Sequence, residues 1–242
     1  MKFSLIITAL NEEKLIERLL SQISQNDLKS KYNYEIIVSD GGSGDKTVPI
    51  SLFYADKIIV HTSKSRQNIS IGKNAGAGHS SGDILLFLAA DIIFKDFPAF
   101  MDTAVKVFKD CKNAAFTCDV KIAPGEEIIS DKIFLGFYNR YFKFLNRIGI
   151  GMGRGECHAV RKSVYFSLNG CNTNFAAGED FDLFMRIRKI GNVFHSTETV
   201  VYESPRRYRH KGHFSVFFSW LLNSIWVIFA RRSRRDVWKE VR

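Results

Sequence analysis

Hydrophobic positions in the first hundred residues fall into short runs separated by polar, small-residue stretches. FSLIIT (3–8), YEIIVSD (34–40), KIIVHT (57–62) and DILLFLAAD (83–91) are four such runs. Each has strand length and gives way to polar residues. Glu12 to Ile23 repeats its apolar residues at helical spacing, and RQNISIGKNAGAGHSSG (66–82), rich in small residues, reads as another helix. Strands alternating with helices predict right-handed crossovers and a mostly parallel sheet covered on both faces. The second half is less regular. AAFTCDVKIA (114–123) and ECHAVRK (156–162) read as strands, and EDFDLFMRIRKIG (179–191) as a helix stopped by Gly191.

Two later segments have a different pattern. From Lys132 to Ile148, Phe134, Phe137, Tyr138, Tyr141, Leu145 and Ile148 form one helical stripe, with Arg140, Lys143 and Arg147 on another. FSVFFSWLLNSIWVIFA (214–230) carries no charge. Seventeen helical residues reach ~26 Å, short of a ~30 Å hydrocarbon core, so a helix lying in the membrane interface is expected.

With 242 residues, 45% of them hydrophobic, the chain can bury a single full core. No repeat or Pro/Gly linker divides it. Its four cysteines lack C-x-x-C spacing, which points to a reducing compartment. The first residues meet acids too soon after a short apolar run to read as a signal peptide. Of the formal charge of +10, the segment from Arg206 onward supplies +8, through ten Lys/Arg against Asp236 and Glu240. Aromatic, uncharged sequence between its basic clusters favours an anionic membrane surface over nucleic acid, which is not expected as a partner.

In open α/β sheets ligands gather beyond the carboxyl ends of the strands. Polar residues cluster there: Thr8 to Glu13 after the first strand, Asp40 to Asp45 after the second, Asp91 after the fourth. Each cluster alone could be a surface loop, but three at one edge of one sheet suggest a site. Asp40 can accept from a nucleobase N–H, and Gly41, Gly42 and Gly44 permit close backbone approach, whether for a plain turn or for a ligand.

ITALNEEKLIERLL (7–20), VSDGGSGDKT (38–47), IGKNAGAGHSSGDILLFLAAD (71–91) and GEDFDLFMRIRKIG (178–191) occur in an order and at separations that resemble the family 2 glycosyltransferases with the GT-A fold, in their short membrane-associated form. The resemblance covers roughly residues 3–210. It implies an α/β GT-A fold over 1–210, with 1–91 the nucleotide-binding half and 92–210 the acceptor half. Residues 211–242 would be a membrane-associating helix and basic tail. It also implies sugar transfer from a UDP- or GDP-linked donor, with inversion and with Mg²⁺ or Mn²⁺. Thr8, Leu10, Glu12, Asp40 and Gly41 would hold the nucleotide. Lys73 and Asn74 would face the diphosphate and ribose, with a solvated helix face as the bland alternative for Lys73.

Asp180, next to Glu179, matches the family's general base, and Asp182 is the second choice. Acids are favoured at any helix N-terminus, so context alone singles this pair out. Arg206 and Arg207 match an Arg-Arg pair that would meet the leaving diphosphate; lipid headgroups are the competing partner. Asp91 would hold the metal, with His210 a weaker candidate. The family's strand usually ends Asp-x-Asp, but this chain has Ala89 at the first position. That departure motivates a rival reading, a nucleotide-sugar binder impaired in catalysis; the retained Glu179-Asp180 pair opposes it. A membrane-recruited interaction protein is a third reading. The acceptor is left open between a lipid-linked molecule and a glycan, and the expected location is the cytoplasm, peripheral or monotopic at the cytoplasmic face of the membrane.

Overall fold

Near-continuous burial along the first, second and fourth predicted strands sets the architecture, a sheet covered on both faces. The structure, a computed structural model, describes residues 1–63, 67–175 and 177–230. The last basic cluster of the tail lies outside the described residues. In chain order the elements are β1 (Phe3–Ala9), α1 (Ile16–Ile23), α2 (Asn26–Tyr32), β2 (Tyr34–Asp40), α3 (Thr47–Ser51) and β3 (Lys57–Val60). There follow α4 (Ile69–Gly78), β4 (Ile84–Ala89), β5 (Ile92–Phe94), α5 (Phe97–Lys109), β6 (Asn113–Lys121) and α6 (Ile129–Arg147). The chain continues through β7 (Cys157–Arg161), α7 (Lys162–Ser167), α8 (Glu179–Arg188), β8 (Asn192–Glu203), α9 (Arg206–Lys211) and α10 (His213–Ala230).

Among the described residues the strands form one eight-stranded sheet in the order β3-β2-β1-β4-β7-β6-β8-β5. The β3, β2, β1 and β4 neighbours are parallel, as are β6 and β8. β7 runs antiparallel to both β4 and β6, and β5 to β8. Leu5, Ile7, Leu86 and Leu88 share one core with Leu19 and Leu20 of α1 and Phe100 and Met101 of α5. Ile6, Leu85 and Phe87 share the other with Ala77 of α4 and Leu183, Phe184 and Ile187 of α8. Each buried Leu or Phe stabilises by about 1.5–3 kcal/mol. A one-residue slip would exchange the two faces, so the pattern fixes the register.

Helix α4 lies unusually close to the sheet. A Cβ on Gly76 would stand 2.3 Å from Ile6 Cγ2, so the small-residue run is what lets α4 settle onto β1. Asn68 caps the helix by accepting from Ile71 N–H.

Helices α6 and α10 pack on one another through aromatic rings: Tyr138 and Trp220 centroids are 5.1 Å apart, Phe134 and Trp220 5.9 Å. The apolar C-terminal segment is thus a helix, as expected, but not a detached one, because Val216 is buried against Ile122, Leu135 and Tyr208. Of the α6 residues read as one apolar stripe, Tyr138 and Leu145 turn inward, while Phe137, Tyr141 and Ile148 stay exposed. Among the described residues no helix is long and apolar enough to cross a membrane.

Candidate active site

The loops after β1 and β2 are stitched together at the carboxyl edge of the sheet. Asn11, at φ +53°, donates its N–H to Ser43 Oγ (2.8 Å) and accepts from Gly44 N–H (2.9 Å). Glu12 N–H donates to Thr47 Oγ1 (2.8 Å). Asp40 is fully buried, and its carboxylate accepts from Gly42 N–H (2.9 Å), Ser43 N–H (2.8 Å) and the Ser43 hydroxyl. Its acceptor capacity is largely spent on the turn. Thr8 and Leu10 are half-buried beside it. A Cβ on Gly41 would lie 3.3 Å from Gln67 Oε1 and 3.4 Å from Leu10 Cδ1. One on Gly72 would lie 3.2 Å from Gln67 Oε1 and 3.4 Å from Thr8 Cγ2. Thr8, Leu10, Gly41, Gly72 and Gln67 therefore lie close together, and Gln67 joins the residues expected from the sequence.

Arg206 closes the far side of this edge. Its guanidinium donates to both Glu12 oxygens, Nη1 at 2.9 Å, and Nη2 also reaches Asp91 Oδ2 at 3.1 Å. Residues 194 positions apart thereby form one unit, and the Arg pairs with two carboxylates before meeting any ligand. Asp91 offers hard oxygen ligands just past β4; Arg206 holds one of them, so a divalent cation there would compete with the guanidinium for that oxygen and take its other ligands from phosphates and water. Among the described residues no group of three or more His, Cys, Asp and Glu could hold a metal unaided. His210, exposed, stands one helical turn from Arg206 on the same face of α9.

Lys73 is not on a solvated helix face. It is 1% exposed, and its ammonium donates to Glu179 Oε1 at 2.8 Å. Burial works to lower the Lys73 pKa, but the Glu179 carboxylate, Cys171 and Asp180 outweigh it, and the group sits above the usual lysine value. It therefore anchors the acid pair instead of reaching outward to a diphosphate. Asn74 also differs from expectation: its amide donates to Cys171 O (2.8 Å) and accepts from Tyr165 OH (2.6 Å) and Cys171 N–H (2.9 Å). Those bonds make it a strut for the loop before α8, with little left for a ribose. Asp182 is paired with Arg186 at 2.6 Å, and that Arg also holds Leu168 O and Gly170 O. It is occupied as a structural partner.

Asp180 is the acid that remains available. Gly178, at φ +82°, turns the chain into α8 so that Glu179 points inward to Lys73, while Asp180 stays half-buried. Burial, followed by the adjacent Glu179 carboxylate, pushes Asp180 up to about 7, with Lys73 acting in the opposite sense. A Cβ at position 155 would come within 3.0 Å of Asp180 Oδ2, so glycine there leaves room in front of the carboxylate.

A buried charged cluster is built around Arg154, Glu156 and Glu203, partly on a stretch whose sequence, ECHAVRK, reads only as a strand. Arg154 is 1% exposed; its Nε donates to Glu156 Oε2 (3.2 Å), and its Nη2 stands 3.5 Å from Glu203 Oε1. Tyr208 OH donates to Glu203 Oε1 at 2.6 Å. Burial and then the Glu156 charge push Glu203 up to about 8, against Arg154. Arg207 exerts its positive charge on both Glu156 and Glu203. The available signal was GIGMGRGE, with glycine at every second position from 149 to 155.

The model of glycosyl transferase family 2 matches residues 4–166. An uncharacterized glycosyltransferase of Haemophilus influenzae is 25% identical over 198 residues, which are 76% of this chain and 61% of the relative. The 4,4'-diaponeurosporenoate glycosyltransferase of Staphylococcus haemolyticus is 37% identical over 93 residues, 37% of this chain and 24% of the relative. The chain thus covers less than two thirds of the length of these curated relatives. Among solved structures, the mannosyltransferase PcManGT from Pyrobaculum calidifontis, in complex with GDP-Man and Mn²⁺, superposes with a TM-score of 0.67 at 21% identity. That match covers 90% of this chain and 64% of the other. S. aureus TarS 1-349 in complex with UDP-GlcNAc gives a TM-score of 0.64 at 17% identity over 96% of this chain and 74% of the other. At such identities the likeness of these two structures is one of fold.

Proposed function

The chain belongs to glycosyl transferase family 2 and has the GT-A fold, and from that premise we propose that it transfers a sugar from a nucleoside-diphosphate donor to an acceptor hydroxyl in one inverting displacement. The observation that carries the reading is Asp180, a half-buried carboxylate beside Gly155 with its pKa raised to about 7. A general base works best when its pKa lies near the working pH. Asp180 takes the proton of the acceptor hydroxyl, whose oxygen forms a bond to the sugar C1. The C1–oxygen bond to the diphosphate breaks on the opposite side, and the nucleoside diphosphate leaves.

Thr8, Leu10, Gly41 and Gln67 form the cleft for the nucleoside, bounded by the Asp40 turn. Arg206 and Arg207 oppose the charge that builds on the diphosphate as the bond breaks. Mg²⁺ or Mn²⁺ at Asp91, with His210 one turn along α9 from Arg206, would supply Lewis-acid stabilisation of the same charge. PcManGT in complex with GDP-Man and TarS in complex with UDP-GlcNAc support a nucleotide-sugar donor for this chain. A lipid-linked acceptor at an anionic membrane surface is favoured by the apolar and basic exterior of α6 and α10. The retained Asp180 geometry argues against an impaired binder.

The test is donor hydrolysis and transfer over a panel of UDP- and GDP-sugars, with and without Mn²⁺, on the wild type and on Asp91→Ala. Turnover that requires the cation and falls in the variant is expected. No turnover and no nucleotide binding across the panel would overturn the assignment.

A further inference from the structure

β4 carries alanine two residues before Asp91, and the chain sets a carboxylate opposite that alanine. Ala89 N–H donates to Glu156 O at 2.9 Å, which extends the antiparallel β4–β7 register one step beyond Leu88 and Cys157. Opposed residues of such a pair project from the same face of the sheet. Two residues back on that face, Phe87 and His158 have ring centroids 5.2 Å apart. Glu156 therefore leaves the sheet on the side of Ala89. Phe87 on that face packs against α4 and α8, which bring Lys73 and Asp180.

The Glu156 side chain is held in place and still reachable. Arg154 Nε binds one oxygen, and the side chain keeps 15% of its exposure. Its charge acts on Asp180, the base. Arg207, a partner of the leaving diphosphate, acts in turn on Glu156. In an in-line displacement the sugar lies between base and leaving group, and the Glu156 charge is coupled to a residue assigned to each end. The displacement set out above gives Glu156 no task.

We propose that Glu156 binds the transferred sugar: its carboxylate, on the strand opposite Ala89, accepts hydrogen bonds from ring hydroxyls of the donor and thereby selects the sugar. An ionised carboxylate is acceptor-only, so hydroxyl groups suit it and the diphosphate does not. Arg154 is its positioning residue. This assignment rests on the glycosyltransferase reading.

The experiment is calorimetric titration of the full chain with UDP, UDP-glucose, UDP-N-acetylglucosamine, GDP and GDP-mannose in the presence of Mn²⁺. The readout is how much tighter a sugar nucleotide binds than its bare nucleotide. Glu156→Gln should reduce that gain by about 10- to 100-fold, the worth of hydrogen bonds to a charged group, with bare-nucleotide affinity unchanged. Glu156→Asp keeps the charge for Arg154 and withdraws the carboxylate by one methylene. It should also lose part of the gain, and it serves as the readout if the Gln variant does not fold. A gain equal to wild type in both variants overturns the proposal while nucleotide binding stands. So does an equal loss of bare UDP or GDP affinity, which would place Glu156 at the metal or phosphates. A wild type that binds none of the five probes overturns the glycosyltransferase reading and this one together.

Discussion

Asp180 and Lys73 show how far single residues determine the chemistry. Asp180→Asn removes the proposed base but keeps the shape, so turnover should drop about 10²–10⁴-fold while the donor dissociation constant stays near wild type. Parallel measurement of kcat and donor affinity checks both halves, and unchanged turnover would remove Asp180 from the mechanism. The raised pKa sets the sign of the pH dependence. Below about 7 the carboxyl is protonated and cannot accept a proton, so kcat/KM should rise with pH and level off above that value. Lys73→Met should shift this midpoint upward, because the ammonium is the charge that lowers the Asp180 pKa. It also strands Glu179, 4% exposed, without its cation. Stranding one partner of a buried pair costs about 3–5 kcal/mol, visible as a lower Tm that Lys73→Met/Glu179→Leu should partly restore. A single variant as stable as wild type would mean that the pair contributes nothing to the fold.

Among the elements, α9 is where the site and the periphery meet. It carries Arg206 and Arg207 inward, while Arg209 donates to Asp131 Oδ1 of α6 at 2.9 Å and His213 of α10 bonds the same oxygen at 2.7 Å. Burial would raise the Asp131 pKa, but Arg209, Ile128 N–H and His213 outweigh it and hold it at about 2. Its contribution to stability is therefore complete above the ordinary carboxylate range and lost as pH falls toward about 2. Asp131→Asn should destabilise the fold at neutral pH by about 1.5–3 kcal/mol for bonds to a charged group, seen as a lower Tm, with little difference from wild type at pH 2. Equal melting at pH 7 would show the clamp to be idle.

The first four strands were legible in the sequence because each is a compact apolar run, and the acid pair because it opens a helix after a glycine. β8 was not legible: NVFHSTETVVYE breaks its alternation where the register with β6 shifts between Cys118 and Asp119. Nor were the roles of Lys73 and Asn74, since polar residues on a helix look solvated until the fold shows what covers them. Glu156 was hidden for another reason. Its neighbour Ala89 is 67 positions away in sequence, and only strand pairing brings a carboxylate back to where one was missing.

At the scale of the whole molecule, charge and apolar surface converge on one exterior. Ile129, Ile133, Phe137, Tyr141, Phe144 and Ile148 are spaced three or four apart on α6, and all are exposed. Phe214, Phe218, Leu221 and Leu222 are exposed on α10, which packs against it. Soluble monomers rarely leave an apolar stretch of this kind uncovered. Lys132, Arg140, Lys143 and Arg147 stand exposed on the same α6, a complement to anionic headgroups worth about 1 kcal/mol each near a membrane surface. Sedimentation with vesicles containing phosphatidylglycerol separates the two contributions. Phe137→Ser/Phe144→Ser/Phe218→Ser should weaken binding at every salt concentration, since buried apolar area is insensitive to screening. Arg140→Ala/Lys143→Ala/Arg147→Ala should weaken it at low salt and match wild type at high salt, where charges more than a Debye length from the lipid are already screened. A lipid-free dimer that the three serines dissolve would instead assign this face to a second copy of the chain, and the acceptor would then have no physical reason to be lipid-linked.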